Sequence, residues 1–195
     1  MTENKNRQFK MLLSNNKRSV LLCAVLGITV EIAAGLILAW ILSFFPETAT
    51  GYQGQMDSHL SNGLISLLFV IIFSPVFEEA VFRFMLLGVL EIKIGFYAAN
   101  VVQAAIFGLY HMSLIQGIYA FLLGMLIGFL KHYTGTVLGC VCFHIAFNMT
   151  GTLVNKLVPA EINTGIRIPA MILTLAVSVA LFVLIRKNRC DAQTA

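Results

Sequence analysis

Six apolar stretches run through this chain, and they leave it few folds to choose from. They cover about residues 20–45, 63–90, 96–112, 115–130, 136–154 and 168–185. A helix of about 20 predominantly apolar residues crosses the hydrocarbon core of a bilayer. The expected fold is therefore all-α, a polytopic membrane helix bundle of about six transmembrane helices. Composition agrees, with 58% hydrophobic and only 11% charged residues, where a soluble domain carries about 25% charge. The net charge of +4 does not point to nucleic acid, because the basic residues sit beside the ends of apolar segments.

The chain divides into a basic segment 1–18 (Lys5, Arg7, Lys10, Lys17, Arg18), a single transmembrane domain 19–186 and a tail 187–195. With the N-terminus in the cytoplasm, that face also receives Lys93, Lys131, Arg186, Lys187 and Arg189. The opposite face receives Lys156 and Arg167, and the connection 46–62 has no Lys or Arg. This asymmetry follows the positive-inside rule and places both termini in the cytoplasm of a multi-pass cell-membrane protein. The first span exceeds a secretory apolar core and carries Glu31, so it reads as retained. Cys23, Cys140 and Cys142 read as small apolar packing residues, with no disulfide framework implied.

Against this background Glu78, Glu79, Arg83, His111, His144 and Asn148 stand out. An ionisable group at the centre of a membrane helix costs about 2.5–3.5 kcal/mol on insertion scales, and such groups face a protein interior or a wet cavity. They fall into three spaced sets, E-E-x-x-x-R, F-x-x-x-H and H-x-x-x-N. Ser74-Pro75 ahead of the glutamates allows two readings: an N-cap with proline at the first position of a restarted half-helix, or a proline kink in one long helix. Helical phase puts Glu79 and Arg83, four apart, on one face, with Glu78 about 100° away. The economical assignment is a structural Glu79–Arg83 ion pair that leaves Glu78 free for general-base duty. His144 and Asn148 share a face by the same rule, as do Phe107 and His111. Glu31 needs a partner too, from a basic residue or from the same cavity. His59 and His132 read as loop or interface residues.

These motifs resemble those of the CPBP family of intramembrane proteases, also called the Abi or type II CAAX prenyl endopeptidase family. Glu78-Glu79-x-x-x-Arg83 is similar to its first motif, Phe107-x-x-x-His111 to its second and His144-x-x-x-Asn148 to its third. The stretch Gly124-x-x-x-Gly128 to Gly139 also resembles the segment before the third motif, and the likeness spans about residues 70–150. The resemblance implies an endopeptidase with Glu78, His111, His144 and Asn148 as catalytic residues and Glu79, Arg83 and Phe107 supporting them. In it, Glu78 activates a water that His111 helps to position, while His144 and Asn148 stabilise the oxyanion.

The same resemblance raises zinc, since family members are often labelled metalloproteases, with Glu78, His111, His144 and Asn148 as candidate ligands. The chain lacks H-E-x-x-H, which places two ligands and a base on one helix, and a metal-free glutamate mechanism is favoured. The implied substrate is a peptide or protein at or in the membrane, through CAAX-type cleavage, peptide processing or bacteriocin immunity, in a small bacterial member. The alternative is a non-catalytic membrane immunity or binding protein that uses the same polar cluster; a small transporter would be expected to show an inverted repeat. One expectation fits poorly. At 1.5 Å per residue, Glu78 lies about 18 Å from the cytoplasmic end of its span, His144 about 12 Å and His111 about 24 Å. Tilt, or a re-entrant connection after Met112, would have to absorb the difference.

Overall fold

A computed structural model describes residues 17–60, 63–157 and 164–194. The basic segment before Lys17 and the side chains of His59, Lys156, Arg189 and Cys190 lie outside the described residues. The described residues form seven helices: α1 (Lys17–Leu42), α2 (Pro46–Leu60), α3 (Gly63–Ile94), α4 (Phe96–Tyr110), α5 (Leu114–Thr134), α6 (Val137–Leu157) and α7 (Thr164–Thr194). No strand occurs among them. Five helices are long and apolar enough to cross a membrane, and α4 is a shorter apolar one. The chain is a multi-pass membrane protein with an all-α bundle.

The expected connection 46–62 instead carries the polar helix α2. Its start is legible in retrospect: Pro46 suits the first helical position, and Glu47 in the first turn complements the positive end of the dipole. Helix α1 stops at Leu42, three residues before the expected limit of its span, and Ser43 and Phe44 form a turn.

The core forms where α1, α5, α6 and α7 meet. Cys23, Leu26, Ile127, Leu130, Cys140, Phe143 and Ile185 are all at most 1% exposed there. Gly27 lets α1 approach the α6 backbone, since a Cβ at that position would overlap the Phe143 carbonyl. Gly124 and Gly128 bring α5 onto α4 in the same way, against Ala104 and Asn100. Gly135 has a different task. It takes the left-handed conformation (φ 68°) that ends α5, and its N–H donates to the Lys131 carbonyl, a glycine stop of the usual kind.

Two amides seal the α4–α5 seam. Asn100 donates Nδ2–H to the Met125 carbonyl at 3.1 Å, and Gln103 donates from Nε2 to the Gly124 carbonyl at 3.0 Å and to Asn100 Oδ1 at 2.8 Å. In lipid, interhelical hydrogen bonds of this kind hold neighbouring helices in register.

Candidate active site

Helix α3 positions the first motif, and its backbone departs from regular α geometry on both sides of Pro75. Residues Phe69–Phe73 and Glu79–Leu86 are π-helical, with the Ser74 N–H bonded to the Phe69 carbonyl. The backbone stays helical through Ser74, Glu78 and Glu79. There is no restarted half-helix, and Pro75 is accommodated within one continuous helix. Ser74 does not cap a helix; its hydroxyl donates to Glu78 Oε1 at 2.5 Å.

Proline leaves a mark on the facing helix. In the π pattern the next carbonyl, Val70 O, would look to the N–H of residue 75, which proline lacks. Asn148 on α6 fills that gap, donating Nδ2–H to Val70 O at 2.9 Å. One N–H of the Asn148 amide is therefore structural and the other remains.

The adjacent glutamates separate in space. Glu79 is fully buried and sits 3.0 Å from Arg83 Nη1, both side chains having no exposure. Glu78 turns to the other side, where Oε2 lies 3.7 Å from His144 Nε2. Glu79 also accepts from His144 Nδ1 at 2.8 Å, a contact across 65 residues of sequence that helical phase cannot reveal. A carboxylate accepts hydrogen bonds, so His144 carries its proton on Nδ1 and turns Nε2 toward Glu78.

Phe107 explains why an aromatic residue stands in the second motif. Its ring face lies 4.4 Å from the Arg83 guanidinium carbon, and its carbonyl accepts from His111 Nδ1 at 2.9 Å. Arg83 finds no aligned hydrogen-bond acceptor on any of its three nitrogens among the described residues. The short distance to Glu79 is thus a charge contact, and the aromatic face supplies the rest through cation–π attraction. His111, with Nδ1–H on a backbone carbonyl, keeps its Nε2 lone pair.

Glu78, His111, His144 and Asn148 line one cavity of about 760 Å³, together with Ser74 and Glu31. Glu79 and Arg83 are not among its lining residues and support it from behind. The depth mismatch between Glu78 and His111 disappears. Helix α3 continues past the expected boundary to Ile94, which puts Glu78 about 24 Å from its end, while His111 stands about 22 Å from Phe96. The turn between those ends is a single Gly95 at φ 77°. Phe82 against Phe107, with ring centroids 4.9 Å apart, fixes the antiparallel register between α3 and α4. Helix α4 ends at Tyr110, and the residues after it bend, Met112 with φ 54°.

Among the described residues, no three His, Cys, Asp or Glu side chains are grouped to hold a metal ion.

Two residues of the site escaped sequence reasoning: Ser74 as the partner of Glu78, and Val70 through its carbonyl. The first was within reach, because Ser74 and Glu78 are four apart and share a helical face.

Residues 60–150 match the family model described as type II CAAX prenyl endopeptidase Rce1-like. The matched stretch contains all three motifs, all of α3 and α4, and α6 as far as residue 150. Comparisons with curated proteins and with solved structures give no match. This match over residues 60–150 supports membership of the CPBP family of intramembrane proteases, to which the CAAX-type endopeptidases belong.

Proposed function

We propose that this protein is an intramembrane endopeptidase that hydrolyses a peptide bond of a membrane-associated peptide or protein, without a metal. The observation that carries the reading is the division of labour between adjacent glutamates. Glu79 is consumed by Arg83 and His144, while Glu78 borders a cavity, hydrogen-bonded among the described residues to Ser74 and 3.7 Å from His144 Nε2.

In this reading Glu78 takes a proton from a water as the water attacks the scissile carbonyl, and returns it to the leaving amine. His111 accepts a hydrogen bond from that water through Nε2, the nitrogen its contact with Phe107 leaves open. The oxyanion is held by the second N–H of Asn148 and by His144. With Nδ1–H given to Glu79, His144 has an Nε2–H to offer only as imidazolium, and Glu79 supplies the counter-charge. Donors of this kind are worth about 2.7–4 kcal/mol each in the transition state.

The substrate in this reading is of CAAX type, or a peptide processed in connection with export or bacteriocin immunity. The distribution of Lys and Arg supports a cell-membrane protein with both termini in the cytoplasm.

The test is Glu78→Gln in purified full-length protein reconstituted in lipid. Peptide hydrolysis is expected to fall about 10²–10⁴-fold with the melting temperature unchanged. Retained hydrolysis would overturn the assignment. Folded protein that cleaves nothing with Glu78 intact would instead favour a non-catalytic immunity or binding role. Exhaustive treatment with a zinc chelator should leave the activity of the native chain in place.

A further inference from the structure

The cavity that holds the proposed reacting groups contains a second carboxylate, which the mechanism does not use. Glu31 on α1 lines it, and its Oε2 accepts the hydroxyl of Tyr119 on α5. Tyr119 is itself braced by Phe147, at 5.5 Å between ring centroids. Helix α6 leaves room for the carboxylate at one position. A Cβ on Gly151 would stand 2.5 Å from Glu31 Oε1 and 3.1 Å from its carboxyl carbon. Glu31 is thus oriented by one neighbour and admitted by another. A carboxylate in a membrane helix is expensive, yet among the described residues no cation forms an ion pair with it. Arg167 lines the same cavity but has an interaction of its own.

We propose that Glu31, held by Tyr119 and given space by Gly151, is a binding subsite for a cationic side chain, lysine or arginine, of the peptide substrate. This rests on the protease reading for its place in the reaction, but not for its chemistry. Gly151 follows His144 by seven positions on α6, about 10 Å along the helix. An extended peptide advances about 3.3 Å per residue. The cationic residue therefore sits about three positions from the scissile bond.

The experiment uses decapeptides in which one lysine is walked along a fixed apolar sequence, and a matched set with norleucine in its place. Binding is measured on full-length Glu78→Gln protein in lipid nanodiscs, where turnover does not interfere. Cleavage is measured separately with Glu78 intact. One lysine position should bind about tenfold or more tightly than norleucine, the range of a hydrogen bond to a charged group. That position should fall two to four residues from the cleaved bond. Adding Glu31→Gln, which keeps an acceptor for Tyr119, should bring the ratio to about one. Tyr119→Phe, which keeps the carboxylate but frees it, should reduce the ratio by less, and it serves if the first variant folds poorly.

Equal binding of lysine and norleucine peptides at every position overturns the proposal, as does a lysine preference that survives Glu31→Gln. The two readings fail separately. Glu31-dependent lysine binding without any cleavage would sink the protease reading and keep the subsite; cleavage without that preference would do the reverse.

Discussion

Asn100 and Gln103 in the α4–α5 seam are as deeply buried as Glu79 and Arg83 behind the cavity, all four having no exposure. The seam uses neutral amides that donate to helix carbonyls, so no charge is desolvated. Behind the cavity two charges are buried, and they are balanced by each other, by His144 and by the Phe107 ring. The leftovers differ accordingly. Among the described residues, Gln103 Oε1 is the seam atom without a partner, whereas behind the cavity Glu79 Oε2 and the Arg83 nitrogens lack aligned ones. A seam built only to hold two helices can be closed with weak, redundant contacts. Behind the cavity, an under-satisfied charge cluster holds His144 in one orientation.

The contrast breaks most visibly at Glu79. Glu79→Gln leaves Arg83 as a buried, uncompensated cation, a situation that costs about 3–5 kcal/mol in buried ion pairs. Thermal unfolding in detergent or lipid should show a large drop in melting temperature. Adding Arg83→Met should recover most of the stability but not the proposed hydrolysis, because His144 Nδ1 loses its carboxylate. Full recovery of activity in the double variant would show that the cluster only holds the fold.

A second test sits between the two regions in character. Asn148 is both a proposed oxyanion donor and the partner of Val70 O, which Pro75 leaves without an N–H. Asn148→Ala should cost about 1–3 kcal/mol by orphaning that carbonyl. In a Pro75→Ala background, residue 75 regains an N–H and the same change should cost much less, a coupling readable as a double-mutant cycle of unfolding energies. The proposed hydrolysis should stay low in both Asn148→Ala proteins. Additive stability changes would show that Val70 does not depend on Asn148.

What the sequence made legible follows the physics of each feature. Long apolar runs announced the membrane bundle, and helical phase separated Glu78 from Glu79 because both partners of the Glu79–Arg83 pair lie on one turn. Contacts between distant segments carry no such local signal, so Glu79 with His144, Glu31 with Tyr119 and Asn148 with Val70 became visible only in the fold. Neutral amides were overlooked for another reason. Asn100 and Gln103 barely disturb an Ala- and Val-rich run, although their i, i+3 spacing places them on one face and hinted at a seam. The depth of Glu78 was misjudged through one boundary: α3 continues to Ile94, beyond the charged Glu91 and Lys93 that suggested its end.

The smallest effect belongs to the seam. Gln103→Leu removes the donor to the Gly124 carbonyl and to Asn100 Oδ1 while roughly conserving volume, and it also removes the unpartnered Oε1. Interhelical hydrogen bonds in membrane proteins average about 0.6 kcal/mol, and the Gly124 carbonyl still has its place in the α5 helix. The variant should therefore unfold within about 1 kcal/mol of the native chain, and the proposed hydrolysis should be unaffected, since Gln103 does not line the cavity. A loss comparable to that of Glu79→Gln would mean that the α4–α5 seam, which carries Phe107 and His111 at its end, sets the geometry of the site as strongly as the charges do.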